Sequence, residues 1–302
     1  MTVPENPVAP LGREEYVEQA HFFRSLSERL RENVPMQEVL QSVREEILAT
    51  TKLPMAIDFL LSELRHAGVM GTAMAHLPHY FTPLQSYLMA AAEDERGRFD
   101  LRIGLEILRR DAEYRAGPVG DAALAYGAAT PSRQGLFLFQ FESLCRNRLS
   151  YDRGLTAMAE DKAFDEAWRE WILQLRRKVG MVDLADLIFV HSEHYLRRKA
   201  KGGRREDSQE VSKESGASVL FGEREGRVAL ANRRKDPLIL FSSLHRQLGY
   251  PAPPRPEQVD EEEALLPQMA RRVEQLEKRM KLIEEEQRGG IDLTKFYGPQ
   301  PD

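Results

Sequence analysis

The chain has 302 residues, 42% of them hydrophobic and 30% charged, with 43 Lys plus Arg against 48 Asp plus Glu and a formal net charge of −5. That length and apolar content suffice for a sizeable core or two smaller ones. The acidic balance, with a pI near 5.9, supplies no general attraction to nucleic acid or to an anionic lipid surface.

Only 8% of the residues are aromatic, and abundant Glu, Arg and Leu with a mean hydropathy of −0.49 favour helix over sheet. The expected class is mainly α. A single cysteine, Cys145, rules out an internal disulfide and a cysteine-built zinc site. Its place in the apolar run LFLFQFESLC suggests a buried thiol. The opening MTVPENPVAPLGREE lacks the basic start and apolar stretch of a signal peptide. No run of about 18 apolar residues marks a membrane span, so the expectation is a soluble cytoplasmic protein.

Residues 1–15 contain several prolines and read as a mobile leader. Residues 16–118 then read as a bundle of short helices. Phe22, Leu26 and Leu30 step by four along the first, and Met36, Val39, Leu40, Val43 and Ile47 stripe the second, after a turn at Asn33-Val34-Pro35. A third starts near Pro54 with Phe59, Leu60 and Leu64 inward, and Gly68 supplies a left-handed cap. A short fourth holds Met70, Met74 and Leu77. Thr82 followed by Pro83 opens a fifth that buries Leu84 and Leu88. Gly97 permits a reversal into a sixth with Leu101, Leu105, Leu108 and Ala112.

A Gly/Ala/Pro-containing connection leads to a second helical region, 136–198. Trp168, Trp171, Ile172 and Leu175 mark one helix there, and Leu184, Leu187, Ile188 and Tyr195 another. Residues 199–218 are polar and charged and read as a flexible linker. The unit 219–250 pairs SVLF with RVALA in a small β-hairpin across GEREG. Its helix runs from Asp236-Pro237 to Gly249 and buries Leu238, Phe241, Leu244 and Leu248. A Pro-rich and acidic spacer, 251–263, precedes a coiled-coil-like helix, 264–288, and a tail, 289–302. In that helix Leu266, Met269, Val273, Leu276, Met280 and Ile283 alternate steps of three and four, the a/d seam of a coiled coil. Fewer than three heptads are present, so the seam serves a weak homo-oligomer, another protein, or a dock on its own chain.

The first bundle resembles the cytoplasmic helical F-domain of bacterial type II secretion and type IV pilus inner-membrane platform proteins. Phe22, Leu26, Leu30, Asn33-Val34-Pro35-Met36 and Leu40 match its first helix-turn-helix. Pro78, Phe81, Pro83, Ala91-Ala92-Glu93, Gly97, Phe99 and Leu105 follow the order of its second half. Asn33 stands for the family's Gly in a turn both residues tolerate, and Ala92 replaces another Gly. The resemblance implies a helical bundle that binds components of a bacterial secretion or pilus assembly, here without the family's membrane spans. A degenerate second copy is hinted at where Arg146, Leu149 and Leu155 echo Arg31, Val34 and Leu40, and where GMVDL at Gly180 echoes GRFDL at Gly97.

Two pairs, His76-x-x-His79 and His191-x-x-His194, have spacings that place two imidazoles on one helical face. Glu193 or the cluster Glu93, Asp94 and Glu95 would complete a zinc or iron site. The competing reading makes them turn and surface residues, since Pro78 interrupts the first pair and neither has the HExxH context. The basic stretches LRRKAKGGRR and ANRRKD lack interleaved aromatics, so no nucleic-acid partner is expected. No phosphate loop, nucleophile elbow or dinucleotide fingerprint occurs. The sequence therefore points to a protein-interaction or scaffold protein, with no catalytic, cofactor or metal residues assigned. A metal-dependent enzyme using the HxxH pairs is the rival.

Overall fold

The computed structural model describes residues 11–30, 34–94, 99–118, 131–200 and 218–254. These fall within one compact unit, Met1–Arg255; a second unit, Pro256–Asp302, lies outside them. The described residues are mainly α, with thirteen helices.

The first six are α1 (Arg13–Leu30), α2 (Met36–Glu46), α3 (Leu53–Ala67), α4 (Met70–Ala75), α5 (Pro83–Glu93) and α6 (Leu101–Ala116). The most extensive helix pair is α1 with α6, which buries Phe22, Phe23 and Leu26 on one side and Leu105, Leu108 and Ala112 on the other. Each fully buried Leu or Phe stabilises by roughly 1.5–3 kcal/mol relative to exposure. The α2 stripe is buried at Val39, Leu40, Val43 and Ile47, and Met36 only packs against the edge of the core. Leu60 and Leu64 point inward from α3, whereas Phe59 stays half-buried. Gly68 caps α3 in the left-handed region, at φ 73°. Thr82 opens α5 with a capping box: its hydroxyl accepts Gln85 N–H while the Gln85 side chain accepts Thr82 N–H.

Helices α4 and α5 cross so closely that a Cβ on Gly71 would sit 2.5 Å from the Ala90 backbone nitrogen. Only glycine fits there. Glu93, at the end of α5, turns back to accept Met70 N–H at 2.6 Å and Gly71 N–H at 2.7 Å. It thereby satisfies two donors that the first turn of α4 would leave open.

The remaining helices are α7 (Arg133–Arg146), α8 (Tyr151–Ala159), α9 (Glu166–Lys178), α10 (Leu184–Val190), α11 (Glu193–Ala200), α12 (Glu223–Ala231) and α13 (Pro237–Leu248). Side chains of Ser132, Asp165, Asp183 and Asp236 cap four of them. Helix α7 is buried without interruption from Gly135 to Leu144, as expected of a helix apolar on every side. It packs on α6, α8 and α13, so one continuous core runs through both helical regions.

The expected hairpin is not present. RVALA lies in α12, while residues 219–221 run extended and bridge in parallel to Ser192 through Phe221. Glu193 N–H donates to Phe221 O at 3.0 Å, and Leu220 N–H donates to His191 O at 2.9 Å. Phe221 wedges edge-on between Trp168 and Trp171, with centroids at 5.2 and 5.3 Å. An aromatic slot therefore anchors SVLF in place of a second strand. The same bridge interrupts the helix expected through Tyr195: α10 stops at Val190, and the Ser192 hydroxyl, which donates to Phe189 O at 2.6 Å, accepts Tyr195 N–H at 3.3 Å. In α13, Leu240 is buried with Phe241 and Leu244, whereas Leu238 is 48% exposed and Leu248 half-buried.

Residues 1–10, 201–217 of the linker, Asn33, Glu95 and Gly97 lie outside the described residues. So does the whole coiled-coil seam from Leu266 to Ile283.

Candidate functional site

Between α4 and α5 the Pro78-x-x-Phe81-x-Pro83 element folds into a tight turn. Tyr80 and Phe81 N–H both donate to Leu77 O at 2.9 Å, which buries Leu77, Tyr80 and Phe81 and leaves Pro78 and His79 exposed. Tyr80 meets Phe81 edge-on at 5.0 Å. Its hydroxyl donates to Glu15 of α1 at 3.0 Å, and its carbonyl accepts from Gln19 at 3.2 Å. Burial, then the facing Glu15 carboxylate, push the Tyr80 phenol far above its ordinary range, so it remains a donor.

The outer side of this turn borders two open cavities of about 490 and 240 Å³. They share Pro78, Phe81, Pro83 and Glu160 and so lie side by side; the pair is called the cleft below. One half adds Thr72 and Ala75 of α4 with Tyr87 and Ala90 of α5. The other adds Leu11, Tyr16, Tyr80 and Arg115 with Asp161 and Lys162 from the turn after α8. Lys162 Nζ reaches Pro78 O at 3.5 Å, tying the two walls together.

Arg115 forms the charged floor. Its guanidinium donates to Asp111 at 2.7 Å and Asp161 at 2.5 Å, with all three side chains nearly enclosed. Tyr16 presents its ring 5.9 Å from the guanidinium carbon. Asp111 also accepts from Gln140 of α7 at 3.0 Å. Burial works against the Arg115 charge, but the two carboxylates outweigh it and hold the guanidinium firmly protonated. This network joins α6, α7 and the α8–α9 turn beneath the cleft.

A second buried carboxylate, Glu142 of α7, accepts from Arg146 at 2.5 Å and Tyr250 at 3.2 Å and pairs with His245 Nε2 at 2.6 Å. Burial and the Glu142 charge drive the Tyr250 phenol well upward. Glu142 thus pins α13 and the chain after it to the central helix.

The residues singled out by spacing do not converge. His76 lies 3.5 Å from Glu63 and is exposed, as is His79. His191 Nδ1 meets Ser218 O at 3.1 Å, and its ring faces Trp171 edge-on at 5.9 Å. His194 Nδ1 meets Glu223 at 2.7 Å. The second pair therefore secures the returning SVLF segment. Among the described residues, no group of three or more His, Cys, Asp or Glu side chains is arranged to hold a metal ion. Glu93 is the α4 cap, and Asp94 follows as the C-cap of α5. Cys145 retains partial exposure, but burial raises its thiol to about 11. No protein-family profile, curated protein or solved structure matches the chain.

Arg115, Asp161 and Glu142 were not marked by spacing. The available signal was Gln140 and Glu142 inside the apolar run LFLFQFESLC: a buried helix must give such polar groups partners. Among the described residues, no helix is long and apolar enough to cross a membrane.

Proposed function

We propose that this chain is a cytoplasmic protein-interaction scaffold that presents the cleft beside Pro78, Phe81 and Pro83 to a component of a type II secretion or type IV pilus-like assembly. The observation that carries this reading is the position of the Pro78-x-x-Phe81-x-Pro83 element. One of the segments that carry the F-domain resemblance is also the shared wall of the two cavities. Aromatic and proline side chains over a rigid polar floor suit an extended or helical protein segment. The a/d seam of residues 264–288 supplies a second docking surface, for another copy or another helix.

Thr72 and Ala75 are exposed on the cleft rim, so Thr72→Arg with Ala75→Arg obstructs it without touching the core. Capture of purified secretion- or pilus-type assembly components by the full chain, lost in this double variant with thermal unfolding unchanged, supports the proposal. Failure of the full chain to retain any such component overturns the assembly assignment.

A further inference from the structure

Two surface turns meet at the start of α10. After α9 the chain reverses at Gly180, where φ is 82°, and Met181 and Val182 N–H donate to Lys178 O at 3.0 and 3.2 Å. Before α13, Arg234 takes a left-handed φ of 60° and its N–H donates to Asp183, the N-cap of α10, at 2.7 Å. The neighbouring Arg233 pairs with Asp186 and lies 5.8 Å from the centre of the Phe189 ring. The two turns are thereby fixed to α10 and to each other.

What they present to solvent is both apolar and basic. Met181 is 78% exposed, more than any other large hydrophobic side chain among the described residues, and Leu238 and Ile239 lie open in the first turn of α13. Arg177, Arg234 and Lys235 are exposed beside them, and their side chains carry no ion pair among the described residues. The acidic groups of the two turns are engaged. Asp183 also accepts Ala185 N–H at 3.0 Å, Asp236 accepts Leu238 N–H at 2.8 Å, and Asp186 holds Arg233. With Lys178 and Arg233 counted, five cations stand against these three carboxylates, a local positive excess on a chain whose net charge is −5.

We infer that this surface docks on an anionic lipid bilayer. Met181, Leu238 and Ile239 enter the boundary between headgroups and acyl chains, and Arg177, Arg234 and Lys235 meet the headgroup charges. Apolar side chains among Lys and Arg suit an interface that is anionic at its surface and apolar beneath. An acidic protein surface would use the cations but leave the exposed Met181 without a purpose. With so few cations the attachment is peripheral and salt-sensitive. The inference uses neither the cleft nor any secretion-type partner.

The test is flotation of the full chain with vesicles of phosphatidylcholine alone or with about 30% phosphatidylserine. The chain should float with the anionic vesicles and not with the neutral ones. Arg177→Gln with Lys235→Gln should weaken that binding about thirtyfold, as expected for two cations removed from a charged bilayer surface. Met181→Gln, which changes no charge, should also weaken it, and thermal unfolding should be unchanged in each variant. Thr72→Arg with Ala75→Arg, at the cleft rim, should bind at least as well as the native chain. Failure to float with anionic vesicles, or equal flotation with neutral ones, overturns the inference. So does binding that falls in the Arg177→Gln, Lys235→Gln variant but ignores Met181→Gln, which would mark a purely electrostatic surface suited to an acidic protein.

Discussion

Arg115 of α6 and Asp161, in the turn after α8, form an ion pair at 2.5 Å with both side chains almost wholly enclosed. The two residues are 46 positions apart in sequence. Arg115→Ala would leave Asp111 and Asp161 buried beside each other without their cation, and truncating one member of a buried pair costs about 3–5 kcal/mol. We expect a loss in that range in urea unfolding, read as a lower midpoint at unchanged slope. Arg115→Lys should recover only part of it, because one ammonium cannot fork to both carboxylates. A midpoint unmoved by Arg115→Ala would remove the pair from the account of the core.

The contact of α4 with α5 predicts that Gly71→Val destabilises the protein by about 1–3 kcal/mol, the usual cost of overpacking. The nearest atom to the new Cβ is the Ala90 backbone nitrogen, which no rotamer change can move aside. Thermal unfolding of the full chain checks this. Equal stability for Gly71→Val would mean that the helices separate freely at this crossing.

Cys145 gives a pH prediction. Burial favours its neutral thiol and raises it to about 11, whereas an unfolded thiol ionises near 8.5. Between those values the unfolded chain has released a proton that the native state retains. The associated stability is thus complete below about 8.5 and is lost as pH rises through about 11. Tyr151, raised by burial to about 12, acts in the same direction. Native protein at pH 8.5 should alkylate slowly with iodoacetamide, accelerating toward pH 11, while denaturant exposes a thiol of ordinary reactivity. Rapid native alkylation at pH 8.5 would contradict the upward shift of this thiol.

If the proposed a/d seam of residues 264–288 pairs, Leu276→Asp puts a charge into its apolar pattern and should outweigh the small stabilisation of so short a coil. Sedimentation over a concentration series should show a smaller species or the loss of a bound partner. Identical sedimentation and partner retention at every concentration would mean that the seam docks on its own chain.

Local patterning revealed the helices with strong caps and clear stripes. Thr82-Pro83 opens α5, Asp236-Pro237 and Gly249 bracket α13, and the Trp168 to Leu175 face of α9 is buried. The α12 segment was misread because Val228 and Leu230 in a nine-residue stretch fit a strand equally well. Its state is decided by packing on α10, α11 and α13, with Gly226 against Ser192. The break at His191-Ser192 was invisible for the same reason, since its cause is Phe221, 29 residues after Ser192 along the chain. Of the cleft, the Pro78-x-x-Phe81-x-Pro83 wall was legible as a turn. The facing wall, Glu160 to Lys162, carries no local signal, and only the fold brings it opposite.

The anchoring of Phe221 also bears on how the polypeptide tolerates being cut. Residues 219–221 are held to 191–193 by backbone hydrogen bonds, and Phe221 is seated between Trp168 and Trp171. Cleavage of a peptide bond within 201–217 removes none of these attachments. The two fragments should co-purify as a folded pair under native conditions and separate only in denaturant. When produced as separate chains they should reassemble, giving a split protein whose complementation weakens when Phe221 is truncated to Ala.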